Sequence, residues 1–189
     1  MTTTTERAIE RFRTAAAAEE LLDVAYANAD SPFGTLLLAQ TPRGLVRIGL
    51  PSQDPEELLE ELAAKVSPRV LEAPAQLDEA RRELDRYFAG KLREFDLPVD
   101  WSLSHGFRQR VLQGIAAIPY GETRTYTEMA AGAGNPRAVR AAGTACGSNP
   151  TPLVVPCHRV LRVGGALGGY AGGLAMKESL LELEARQHG

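Results

Sequence analysis

The sequence predicts an α/β (α+β) fold in two packed parts, on three observations. Short apolar runs separated by Pro/Gly turns crowd into residues 23–50, amphipathic helical repeats follow as far as residue 88, and beyond residue 104 the pattern is mainly helical. A chain of 189 residues can bury one sizeable core or two small ones packed together. The division expected is an N-terminal α/β domain over 1–95, with an extra helix at its start, and a mainly helical C-terminal domain over 96–189.

Thr5–Leu22 reads as a helix of alanines and charged residues, and Asp23–Ala29 as a short strand. Ser31-Pro32-Phe33-Gly34 turns into a second strand, Thr35–Ala39, and Pro42-Arg43-Gly44 turns into a third, Leu45–Leu50, whose alternation marks a half-buried strand. Glu56–Val66 and Leu77–Phe88 are amphipathic helices, the second with Leu77, Leu84 and Phe88 on one face. Leu97-Pro98-Val99-Asp100 is an extended connector. Phe107, Val111 and Ile115 then recur every fourth residue in a helix that Pro119 stops. Thr125 and Glu128 have capping-box spacing at the start of a short helix to Ala131. Gly132-Ala133-Gly134-Asn135 breaks that helix, and the next is expected to start at Pro136 and run to Cys146.

Composition excludes several classes. Hydrophobic residues are 44% and charged residues 24%, as in ordinary globular proteins. Two cysteines make neither a disulfide framework nor, alone, a tetrahedral zinc site, and they fit a reduced, cytoplasmic setting. The first thirty residues hold no secretory apolar core, and the longest uncharged run, 141–157, is broken by Gly143, Gly147, Pro150, Pro152 and Pro156, so no membrane helix is expected. The net charge of -3 hides an asymmetry: residues 101–170 hold seven arginines, no lysine and two glutamates. Guanidinium forks suit phosphates, although small patches of one sign are also common on proteins with other partners.

The two short helices around Gly132–Asn135 form either a helix-turn-helix or an ordinary helical hairpin. Ala138, Ala141, Ala142, Gly143 and Ala145 leave the second helix without bulk, with Arg137 and Arg140 projecting from it. Such a helix can lie against a narrow groove, or simply pack closely on its neighbours. Downstream, Val154-Val155-Pro156-Cys157-His158-Arg159-Val160 sets a cysteine beside a histidine and an arginine. A base and a positive charge make a thiol nucleophilic, the alternative being a small buried cysteine at a strand end. Met176 and Leu180 lie eight and four residues before Glu184, which puts that acid on an apolar helix face.

Ile118-Pro119-Tyr120-Gly121-Glu122-Thr123, Thr125-Tyr126, Gly134-Asn135-Pro136-Arg137-Ala138-Val139-Arg140-Ala141, Asn149-Pro150, Val155-Pro156-Cys157-His158-Arg159-Val160 and Gly172-Gly173-Leu174 follow one another in a distinctive order. In it the chain resembles the O6-alkylguanine-DNA alkyltransferases. The strong match covers about residues 105–185, and the first half matches mainly through Ser31-Pro32-Phe33-Gly34.

The resemblance implies direct damage reversal. The alkyl group of O6-alkylguanine, and of O4-alkylthymine, passes irreversibly to Cys157, once per molecule and with no cofactor. It implies that His158 draws off the thiol proton through a bridging water and that Glu184 orients His158. Tyr126 then donates to the guanine ring, and Asn149 braces the turn into an active-site strand. The implied partner is double-stranded DNA bound along its minor groove by a monomer, with the base flipped out and Arg140 in the vacated space. Arg137, Ala138, Ala141, Gly143 and Tyr126 complete the DNA contact. Tyr170, Ala171, Val160 and Arg159 are expected around the base pocket, beside an active-site loop with six glycines between Gly164 and Gly173. No phosphate-loop Gly-Lys-Ser/Thr follows those glycines.

Two departures stand out: Ala171 replaces a hydroxyl-bearing residue of relatives, and Leu112 a tryptophan of some. With no cysteine or histidine before His105, no metal is expected, and His105, His188 and Cys146 receive no role. A Cys-His-Glu hydrolase or acyltransferase shares the relay but has no need of the Arg140 helix. Lesion-binding relatives that do not react lack the cysteine.

Overall fold

The computed structural model describes residues 22–186, so the helix expected over Thr5–Leu22 falls, but for its last residue, outside the described residues, as does His188. Three strands form an antiparallel meander: β1 (Val24–Ala29), β2 (Leu36–Thr41) and β3 (Gly44–Gly49), with Ala27 opposite Leu38 and Leu38 opposite Ile48. The first turn closes through Gly34 N–H on the Ser31 carbonyl (3.1 Å). Helix α1 (Pro55–Lys65) starts where Asp54 accepts from the Glu56 N–H at 2.8 Å and Pro55 takes the first turn.

A fourth strand, β4 (Val70–Glu72), lies parallel to β1 at the sheet edge, giving the order β3-β2-β1-β4. No sequence expectation covers it, because three half-buried residues after Pro68 are too few to show a period.

The sheet buries both faces. Ala39 and Val46 pack with Leu62 of α1 on one side. On the other, Leu36, Leu38 and Ile48 share a cluster with Leu84 and Tyr87 of α2 (Asp78–Phe88) and with Leu153, Met176 and Leu180 of the C-terminal half. Each such leucine contributes roughly 1.5–3 kcal/mol by leaving water, so this cluster joins the two halves. The Leu97–Asp100 connector adds to this seam: Leu45 N–H donates to the Pro98 carbonyl (2.7 Å) and Asp100 N–H to the Leu45 carbonyl (2.9 Å). Gly44, at φ 130°, is required here, because a Cβ would meet that Pro98 carbonyl.

The helical half contains α3 (Gly106–Ala116), α4 (Tyr126–Gly132), α5 (Val139–Gly147) and α6 (Leu174–Ala185). Val111, Leu112 and Ile115 of α3 are buried against Ala130, Ala142 and Ala145, so the small residues of α4 and α5 do allow close packing. The capping box forms as expected, with Thr125 N–H on Glu128 Oε2 (2.6 Å) and Glu128 N–H on Thr125 Oγ1 (3.2 Å). Pro136, however, does not open α5. The Asn135 side chain accepts from Arg137 N–H (3.2 Å) and its carbonyl from Ala138 N–H (3.0 Å), and this turn delays the helix to Val139. Two-residue strands β5 (Arg124–Thr125) and β6 (Val160–Leu161) pair in parallel. Among the described residues no helix is long and apolar enough to cross a membrane.

Candidate active site

The chain reaches Cys157 through a loop built on Asn149. Asn149 Oδ1 accepts from Thr151 N–H (3.1 Å), and Asn149 Nδ2 donates to the Val155 carbonyl (2.7 Å) and to Cys157 Sγ (3.1 Å). One side chain thus shapes the loop and holds the thiol. Leu153 sits within it at φ 77°, a strained conformation for a bulky residue that complete burial holds in place. Cys157, His158 and Arg159 form a turn of 3₁₀ helix, and the expected active-site strand is reduced to β6 just after them. Side chains one residue apart in such a turn diverge by about 120°. The thiol and imidazole therefore point apart and make no direct contact suited to proton exchange.

Behind Cys157 lies a closed polar cluster on Glu184. Its Oε1 accepts from His158 Nε2 (2.9 Å), Arg159 NH2 (2.9 Å) and the Tyr87 hydroxyl (2.7 Å), and its Oε2 from Arg159 Nε (2.9 Å) and Gly121 N–H (3.1 Å). Burial works to raise the Glu184 carboxyl, but the hydrogen bonds from His158 and Arg159 outweigh it and hold it down to about 2. An ionised carboxylate only accepts, so His158 Nε2 carries the proton. Its Nδ1, buried and without a partner among the described residues, is left as a bare lone pair. Burial also pushes the imidazole below its ordinary value, against the pull of Glu184, so His158 is neutral and able to take a proton.

The electrostatics of the thiol correct the sequence reading. Burial pushes the Cys157 thiol up, and hydrogen bonding from Asn149 and the charge of Lys177 only partly oppose it. Arg159 is not the cation beside it: its guanidinium is spent on Glu184 and on the Ile118 carbonyl (2.6 Å). Lys177 takes that place, fully buried on α6 with Nζ on the Val160 carbonyl (2.6 Å). The resting thiol is therefore protonated and needs a base.

In front of Cys157 opens a pocket of about 570 Å³, lined by Tyr126, Arg140, Gly143, Arg162, Tyr170 and Ala171 among others. Tyr126 and Tyr170 pack in the same cluster as Cys157, so the thiol adjoins the pocket while remaining only 5% exposed. Burial pushes the Tyr126 phenol up to about 12, which keeps it a proton donor. Gly168 packs beneath it, where a Cβ would overlap the Tyr126 hydroxyl. Arg140, Arg137 and Ala141 are exposed and Ala138 is half-buried. Arg159 and Val160, expected around the pocket, do not line it: the first is held by Glu184, and the second is buried in β6.

The sequence reading also missed Tyr87, Arg162, Lys177 and Ser52, whose hydroxyl donates to the Ala171 carbonyl (3.1 Å) at the pocket lip. Lys177 had a readable signal, three residues before Leu180 on the apolar face that carries Glu184. Tyr87, 97 residues from Glu184, had none.

The chain is similar to known proteins along most of its length. The family model for the 6-O-methylguanine DNA methyltransferase DNA binding domain matches residues 106–186, and that for the ribonuclease-like domain of the same enzymes matches 24–101. The methylated-DNA–protein-cysteine methyltransferase of Methanosarcina acetivorans is 41% identical over 84% of this chain and 97% of its own. That of Mycolicibacterium paratuberculosis is 42% identical over 86% of this chain and 93% of its own. The crystal structure of Mycobacterium tuberculosis OGT in complex with DNA superposes with a TM-score of 0.74 at 39% identity, covering 86% of this chain and 94% of that one. On the strength of both matched domains and of these relatives, the chain belongs to the 6-O-methylguanine DNA methyltransferase family.

Proposed function

We propose that this chain repairs alkylated DNA by taking the alkyl group from O6 of guanine onto Cys157, once per molecule. Methyl transfer from DNA to a protein cysteine is its activity as a member of its family. The observation that carries the assignment to Cys157 is the bond from Asn149 to its Sγ, beside an imidazole whose Nε2 is locked on Glu184 and whose Nδ1 is unpartnered.

The steps follow from these groups. His158 Nδ1 takes the thiol proton through a water, and the ionised Glu184 stabilises the imidazolium. The thiolate attacks the alkyl carbon in line, a C–S bond forms, and the C–O bond breaks with its electron pair passing to guanine. Tyr126 answers that charge with its phenolic hydrogen. The product is a thioether with no leaving tendency, which is why the acceptor is consumed. O4-alkylthymine offers the same alkoxy carbon beside a ring nitrogen and is a second substrate.

A base stacked in a duplex cannot reach a buried thiol, so the nucleotide rotates into the Tyr126–Tyr170 pocket at a cost of a few kcal/mol. Helix α5 approaches along the minor groove, with the small residues Ala138 at its cap and Ala141 and Gly143 within it permitting close contact and Arg137 binding backbone. Arg140, at the pocket edge, fills the space the base leaves. The protein acts as a monomer in the reduced cytoplasm, where a free thiol persists.

Duplex DNA carrying radiolabelled O6-methylguanine separates the two cysteines. Cys157→Ser is expected to bind the duplex normally and acquire no label, while Cys146→Ala labels fully. Label on the Cys157→Ser protein would refute the assignment.

A further inference from the structure

We infer that Tyr87, on α2 of the sheet domain, is a positioning residue for alkyl transfer, acting through its hydroxyl on the Glu184 carboxylate. This inference rests on the relay reading of His158 and Glu184.

The hydroxyl donates to Glu184 Oε1 at 2.7 Å, the same oxygen that receives His158 Nε2 at 2.9 Å. Its 3.4 Å approach to His158 Nε2 is two donors side by side on one acceptor. The tyrosine is completely buried, its ring packed edge-on against Tyr120 (6.2 Å) and tilted against Phe95 (5.1 Å), so the hydroxyl has one place to point. Every other donor to Glu184 among the described residues comes from the helical domain. Through Tyr87 the sheet domain thus completes the carboxylate that fixes the reacting imidazole.

Two consequences follow. The hydrogen bond draws charge from Oε1 and so limits how strongly Glu184 raises the basicity of His158. It also fixes the carboxylate plane on which the imidazole sits. The other charged or titratable groups around the pair are Arg159 against Glu184, Arg159 and Lys177 around His158, and Tyr120 beside Tyr87. Tyr87→Phe leaves all of these in place. With one donor gone, Glu184 pulls harder on the imidazolium, His158 titrates at higher pH, and the acid limb of the rate profile moves up.

The test is the single-turnover rate of methyl transfer from O6-methylguanine duplex, measured from pH 5.5 to 8.5. The proteins compared are the parent chain, Tyr87→Phe and Tyr120→Phe, the last because the Tyr120 hydroxyl is buried with no partner among the described residues. For Tyr87→Phe we expect unchanged duplex binding, a rate roughly three- to tenfold lower at pH 6, a smaller loss at pH 8, and a matching upward shift of a histidine resonance titrated by NMR. Tyr120→Phe is expected to keep the parental profile.

A parental profile for Tyr87→Phe, an equal loss at every pH, or the same shift in Tyr120→Phe would overturn the inference. Should the parent chain itself acquire no methyl group on Cys157, the relay reading falls first. Methylation of Cys157 with a parental Tyr87→Phe profile removes the role of Tyr87 alone.

Discussion

Cys157 separates two regions of opposite character. Behind it, Glu184 holds five donors in a cluster where Tyr87, His158, Arg159 and Glu184 are all buried. In front of it, Arg140, Arg162, Gly169 and Ala171 line a pocket open to solvent, and all four are exposed. The rear is built to hold one proton arrangement before substrate arrives, and the front is built to be filled. In the proposed mechanism the contrast separates reactivity, assigned to a preorganised base, from recognition, assigned to exposed cations and small residues.

The largest expected effect breaks the rear. Glu184→Gln leaves the buried Arg159 guanidinium without its ion pair, and we expect about 3–5 kcal/mol of lost stability in urea unfolding, together with loss of transfer. A loss under about 1 kcal/mol would mean that the cluster is not the fixed element described.

Acid sharpens the same point. A carboxyl held near 2, below its ordinary 4.5, contributes stability that is fully present above about pH 4.5 and is lost as pH falls towards 2. The loss attributable to Glu184 is about 3 kcal/mol. His158, also lowered, adds a loss that begins as pH falls through its ordinary 6.5. Urea midpoints between pH 7 and pH 2 read both, and Glu184→Gln is expected to lack the lower step.

The front is tested by Arg140→Ala. If Arg140 replaces a flipped base, repair of duplex DNA falls about a hundredfold while reaction with free O6-benzylguanine is nearly unchanged. Equal losses on the two substrates would remove that role.

Legibility in the sequence follows the same divide in part. Cys157, His158 and Arg159 are adjacent, and Glu184 lies in register with Met176 and Leu180, so local patterns mark these residues, while joining them into a relay took the family resemblance. The Thr125–Glu128 capping box was equally readable, because both partners lie within one turn. What stayed hidden is long-range. Tyr87 meets Glu184 only after α2 has packed across the seam, and Ile48 N–H reaches the Pro150 carbonyl (2.8 Å) from another domain. Strand β4 has only three residues, and its register comes from β1 alone. Arg159 misled for a related reason: chain adjacency to Cys157 suggested that its charge acts on the thiol, whereas Glu184 neutralises it.

The most direct measurement of the central claim is peptide mass spectrometry after incubation with duplex DNA containing O6-methylguanine. The account predicts one added methyl group on the peptide containing Cys157, at no more than one per protein molecule however long the incubation. No added methyl, a methyl on Cys146, or more methyl groups removed from DNA than protein molecules present would contradict it.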